Sequence, residues 1–123
     1  RKGEHPQKNQ QFNPDFFIKI HRDGIDYIVI VEIKADNDDS DENKAKLRYT
    51  RRHFLDLNKE LEELGIKQKY IFHFLSPNSY AEFFQNLRDG RMIKGVFRSD
   101  IEDKLDQNGK GLITRIVGDK ITE

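Results

Sequence analysis

The chain has 123 residues, 35% hydrophobic and 36% charged, with nine Phe, four Tyr and 22 basic residues balanced by 22 acidic ones. That is one domain's worth of sequence with enough apolar side chains for one core, which excludes a disordered chain. The absence of cysteine excludes a disulfide framework and thiolate metal sites and fits a cytoplasmic protein, while no apolar run approaches the ~20 residues a membrane span needs.

Residues 1–11 are polar and lack periodicity, and the first residue is Arg1, so a fragment of a longer chain is expected. Residues 12–20 (FNPDFFIKI) are rich in Phe and Ile and predict a strand. His21-Arg22-Asp23-Gly24 predicts a tight turn, because Asp-Gly tolerates positive φ. Residues 25–34 (IDYIVIVEIK) carry the strongest strand signal: five β-branched residues lie between Ile28 and Ile33, apolar on both faces, which predicts a central strand. A long helix is predicted over about 41–64, with Leu47, Phe54, Leu57, Leu61 and Leu64 on one stripe, Asp39 and Glu42 as a capping box and Gly65 as the stop. Lys69 to Leu75 predicts a further strand, and Asn78 to Arg88 a helix packing Tyr80, Phe83, Phe84 and Leu87. Met92–Phe97 and Leu112–Val117 read as short strands. A long helix between two strands predicts a crossover that makes them parallel, and the first two strands should be antiparallel. The expected fold is α/β, a mixed sheet with helices packed on it, as one domain over residues 1–123.

Three charged residues sit where charge is costly. Asp15 opens an apolar strand, and Glu32 and Lys34 close the most hydrophobic one. Taken singly, each is ordinary solvated surface; their conjunction is informative. Side chains alternate along a strand, so Glu32 and Lys34 share a face. A two-residue loop at Asp23-Gly24 pairs Arg22 with Ile25 and sets Asp15 opposite Glu32. A four-residue loop from His21 to Gly24 pairs Asp15 with Ile30 and leaves Glu32 as a diagonal neighbour. Both put Asp15, Glu32 and Lys34 on one face; an odd-length loop would separate them. Directly opposed Cβ atoms lie about 4.5–5.5 Å apart, and like charges there are unfavourable without a cation or a shared proton. Mg²⁺ is the natural partner, because it needs one or two carboxylates and keeps its waters.

Asn13-Pro14-Asp15, a turn, and then Val31-Glu32-Ile33-Lys34 after a hydrophobic run resemble the PD-(D/E)xK nucleases over about residues 12–88. The resemblance implies a restriction-endonuclease-like fold and a Mg²⁺-dependent endonuclease, with Mn²⁺ substituting for Mg²⁺. It implies that Asp15 and Glu32 bind the metal, that the Ile33 carbonyl is an additional ligand, and that Lys34 is the catalytic lysine. More narrowly, FNPDFFIKI followed by IVIVEIKAD resembles the nuclease end of the restriction subunit of type III restriction-modification enzymes, or a related helicase-linked nuclease. That implies DNA as substrate, a helicase-type ATPase domain in the same chain, a modification subunit, and a dimer for double-strand cleavage. Residues 36–42 hold five acids and no base, and residues 44–53 five bases and no acid. By themselves these runs read as a solvated loop and helix face. Beside the motif, Lys44, Lys46, Arg48, Tyr49, Arg51 and Arg52 become candidates for phosphate contact, with Lys46 and Tyr49 the candidates nearest the metal site. The alternatives are a catalytically silent nucleic-acid-binding module of the same fold and an RNA- or structure-specific nuclease.

The stretch from Asp106 to Ile113 resembles half of an EF-hand loop, but Lys110 stands at a ligand position and Val117 where a bidentate Glu belongs, so a glycine turn is expected instead. His5, His21, His53 and His73 show no metal-ligand spacing, and His73 reads as a satisfied core residue.

Overall fold

A computed structural model describes residues 13–106. The 1–11 segment, the 112–117 strand expectation and most of the EF-hand-like stretch lie outside the described residues.

The turn expected around Asp23-Gly24 is a two-residue loop. Asp23 and Gly24 have φ of 54° and 80°, the positive pair that a type I′ hairpin requires. Strands β1 (Phe16–Arg22) and β2 (Ile25–Ile33) are antiparallel, with Arg22 opposite Ile25 and Phe16 opposite Val31. β1 starts later than expected, after Pro14, and Asp15, a bend residue outside the strand, donates its N–H to the carbonyl of Val31, the residue opposite Phe16, at 2.8 Å. Helix α1 (Asp41–Glu63) then crosses over to β3 (Gln68–Leu75), which pairs parallel to β2 from Asp26↔Gln68 to Ile33↔Leu75. The sheet order is β1-β2-β3, so the β-branched strand is central. A 3₁₀ turn at Pro77–Ser79 leads into α2 (Tyr80–Arg88), a second 3₁₀ turn follows at Met92–Lys94, and residues 100–106 are helical.

The chain is thus mixed α/β, a three-stranded sheet with helices on both faces. On one face Ile30, Phe72 and Phe74 pack under Leu47 and Phe54 of α1, with Ile101 and Leu105 of the last helical segment. On the other, Val29, Val31 and Leu75 pack against Phe83 of α2, Met92 and Phe97, flanked by Phe16, Ile18 and Ile20 of β1. Even residues of β2 therefore face α1 and odd ones face α2. Among the described residues, no helix is long and apolar enough to cross a membrane.

Four expectations need correction. The helix N-cap is Ser40, whose hydroxyl accepts from Asn43 N at 3.2 Å, in place of an Asp39–Glu42 box. The α1 stripe is buried at Leu47 and Phe54 but ends with Leu64 exposed, and the Gly65 turn that follows leads straight into β3. Tyr80 and Phe84 are exposed, because α2 buries Phe83 and half-buries Leu87 along a narrower stripe. Met92–Lys94 forms a 3₁₀ turn and residues 95–97 no strand, with Gly95 at a left-handed φ of 74° that extended pairing does not accommodate.

The outer edge of β3 is closed by side chains. The Asn58 amide donates to the Tyr70 carbonyl at 2.8 Å and accepts from Tyr70 N at 2.8 Å, as a paired strand would. Four residues along, Glu102 accepts from Phe74 N at 3.2 Å and Ser99 Oγ donates to the Phe74 carbonyl at 2.6 Å.

Candidate functional site: an acid and lysine cluster at the carboxyl end of β2

The β1–β2 pairing ends at Phe16↔Val31, and Asp15, a bend residue just before β1, also addresses Val31 by donating its N–H to the Val31 carbonyl. Glu32 and Lys34, two apart on one strand, share a face. Both lie on the α1 side, at the carboxyl end of the parallel pair, where α/β sheets open toward ligands, and Asp15 stands at the same end beside the Ile33 backbone. Asp15 is exposed, and its Oδ2 accepts a 2.6 Å hydrogen bond from the Ile33 backbone N–H. That bond fixes the carboxylate at the strand end and leaves Oδ1 outside it.

Glu32 is only 4% exposed. A carboxylate taken that far out of water needs partners. Its Oε2 has two: Lys46 Nζ at 2.8 Å and Lys34 Nζ at 3.0 Å. Its Oε1 is buried and has no hydrogen-bond partner among the described residues. Lys34 is further held by the Phe74 ring, 5.1 Å from its centroid, a cation–π contact within the ~6 Å range of such pairs.

Of the six candidates on α1, the fold brings one to the acids. Lys46 inserts toward the sheet, whereas Tyr49 is exposed. Lys44 pairs with Asp41 at 3.0 Å and Arg52 with Asp56 at 3.3 Å, both near solvent, and Arg48 is exposed. Arg51 turns the other way, to Asp106 at 2.9 Å. The apolar stripe alone could not choose between Lys46 and Tyr49. The polar members of the buried face could, since Asn43, Lys46 and Thr50 share the spacing of Leu47 and Phe54.

A second buried carboxylate has no counterpart among the expectations. Glu102 is 1% exposed, and both its oxygens lie 3.0 Å from His73 Nδ1. It also accepts from Phe74 N and, at 3.0 Å, from Ser99 N, while Ser99 Oγ accepts from Glu102 N at 3.3 Å. Those reciprocal bonds are a capping box, legible in the sequence as Ser99-Asp100-Ile101-Glu102 ahead of Leu105. Arg51 Nη2 stands 3.9 Å from Glu102 and links it to Asp106. His73 is buried as expected but only half satisfied, because its Nε2 has no partner among the described residues. Burial would raise the Asp106 carboxyl, but hydrogen bonds and charge from Arg51 and then Arg98 outweigh it and hold the group below its ordinary value.

A groove of about 750 Å³ lies at the opposite end of the sheet, between the second half of α1 and the 65–69 turn, with Arg52, Leu55, Lys59, Ile66 and Lys67 among its walls. It shares no residue with the acid and lysine cluster.

Compared with family models, curated proteins and solved structures, the chain matches none of them.

Proposed function

We propose that this chain is a restriction-endonuclease-like, divalent-metal-dependent nuclease domain that hydrolyses phosphodiester bonds in DNA, acting in the cytoplasm as the cleavage part of a restriction enzyme. The resemblance of Pro14-Asp15 and Glu32-Ile33-Lys34 to the PD-(D/E)xK pattern suggests it. The single structural observation behind it is the buried Glu32 Oε1, which has no hydrogen-bond partner among the described residues, at the strand end where Asp15 meets the Ile33 backbone. An unsatisfied buried oxygen is rare and calls for an unseen partner.

The donor set fits a hard cation. Asp15 and Glu32 offer carboxylate oxygens from adjacent strands, and Mg²⁺ requires no more than one or two. These two residues would hold it, with the Ile33 carbonyl as a third donor and Mn²⁺ able to replace it. When bound, such an ion supplies Lewis acidity and a water of lowered pKa. Lys34, 3.0 Å from Glu32 and seated over Phe74, keeps an ammonium at the site and orients the attacking water or offsets charge developing on the phosphate. Water adds to phosphorus in line as the P–O bond opposite it breaks. Arg48 and Tyr49, exposed on α1, with Lys44 and Arg52, supply contacts to the nucleic-acid backbone that carry no sequence information. A helicase-type ATPase domain in the same chain, a modification subunit and a dimer for double-strand cleavage belong to this proposal.

The competing reading is a catalytically silent nucleic-acid-binding module. It draws on the saturation of Glu32 Oε2 by two lysines, which lets the carboxylate remain buried with no ion. Incubating the protein with supercoiled plasmid, single-stranded DNA and RNA, with and without Mg²⁺ or Mn²⁺, separates the readings. Metal-dependent cleavage of DNA that disappears in Asp15→Ala and Lys34→Ala is expected. Binding with no cleavage under any metal would favour the silent module, and cleavage confined to RNA would change the substrate.

A further inference from the structure

The two lysines on Glu32 are not equivalent. Lys34 comes from the same strand and has a second attachment in the Phe74 ring. Lys46 reaches across from α1, and among the described residues its ammonium has Glu32 as its only charged partner. The other basic side chains of α1 with ion pairs, Lys44, Arg51 and Arg52, reach Asp41, Asp106 and Asp56. Lys46 itself is buried, so its stem and charge are committed to the sheet.

We propose that Lys46 is an internal stand-in for the divalent ion: it neutralises Glu32 while the site holds no metal and gives up that carboxylate when the ion binds. The proposal rests on the metal-dependent reading above. With Glu32 4% exposed, its charge is costly to bury on one cation, and Lys46 adds a second cation to the Oε2 that Lys34 already holds. Lys46 relieves that cost in the free protein. Once an ion engages the free Oε1, three cationic groups crowd one carboxylate, and repulsion at contact distance in a poorly screened site is large. The group with one attachment leaves, and Lys34, doubly held, stays in place. Lys46 is in these terms a positioning residue: it sets ion affinity and the stability of the metal-free protein through Glu32.

Calorimetric titration with Mn²⁺ alone and thermal melts with and without saturating Mn²⁺ test this with no nucleic acid present. Lys46→Met should lower the melting temperature of the metal-free protein and tighten Mn²⁺ binding roughly tenfold or more, because a unit positive charge at contact distance is removed. Saturating Mn²⁺ should then bring its melting temperature back to that of the wild-type protein at saturation, as binding to the folded state requires. Lys44→Met, the same charge change two residues away on a residue paired with Asp41, should shift ion affinity less than about twofold, as exposed charges are screened. Lys46→Gln keeps most of the stem and a donor, and serves if Lys46→Met does not fold. If wild type binds Mn²⁺, Glu32→Gln abolishes that binding and Lys46→Met binds no tighter than Lys44→Met, the stand-in role is overturned while the metal site survives. If wild type binds no Mn²⁺, the metal-dependent reading falls and the proposal with it.

Discussion

Glu32 and Glu102 are both carboxylates buried beside the sheet, yet they are treated in opposite ways. Glu102 sits in a closed shell: His73 and two backbone N–H groups use its oxygens, with Arg51 behind. Glu32 has two cations crowded on one oxygen and, among the described residues, no partner on the other. Desolvation is costly in both places, and only one is fully compensated. The shell around Glu102 ties residues 99–106 to β3 and leaves no lone pair for a ligand. The imbalance at Glu32 is the observation from which the metal site is proposed.

The contrast can be broken by exchanging the expected outcomes. The largest effect should come from Asp15→Ala or Glu32→Gln, which should reduce metal-dependent DNA cleavage at least ~100-fold, the scale of losing one charge-stabilising group, while the circular dichroism spectrum stays native. Stripping the protein of divalent ions with EDTA should have the same effect, reversed by Mg²⁺. Glu102→Ala should do the reverse. It strands His73 and Phe74 N and should cost roughly 3–5 kcal/mol in urea denaturation, as removal of one partner from a buried charged pair does. If Glu102→Ala leaves stability intact and abolishes cleavage, the two roles have been assigned the wrong way round. Ser99→Ala, which removes the N-cap and a bond to the Phe74 carbonyl, should cost about 1–2 kcal/mol by the same measurement. The smallest effect concerns pH. Asp106 has a folded-state pKa below its ordinary value, so its contribution is present above about pH 4 and lost as pH falls through the folded value. Asp106→Asn should therefore flatten the acid limb of a stability profile taken between about pH 6 and pH 2, and leave its neutral limb parallel to that of wild type.

Much of the scaffold was legible because local chemistry and tertiary packing agree. Asp-Gly dictated a two-residue hairpin loop and with it the register from Arg22↔Ile25 to Phe16↔Val31. The run from Ile28 to Ile33 dictated a strand covered on both sides, and the long amphipathic helix dictated the parallel crossover. The less legible features depend on polar groups made useful by distant partners. Ser40 rather than Asp39 caps α1, a choice among neighbouring cap formers that depends on backbone geometry. The Ser99–Glu102 box was present in the sequence, but its importance comes from where it docks, against Phe74 and His73 some 25 to 29 positions away. Lys46 was visible as one base in a basic run and became distinct only when the helix face turned it inward. Phosphate contact by the remaining basic residues of α1 depends on a partner rather than on the fold.

The amide of Asn58 and the Ser99–Glu102 pair have a further consequence for assembly. By mimicking a neighbouring strand at Tyr70 and Phe74, they use up hydrogen-bonding capacity along that border of the sheet. Growth of the sheet is thereby polarised. An incoming extended segment, from elsewhere in a longer polypeptide or from another molecule, meets plugged positions beside β3 and would have to enlist β1, on the margin that carries Asp15.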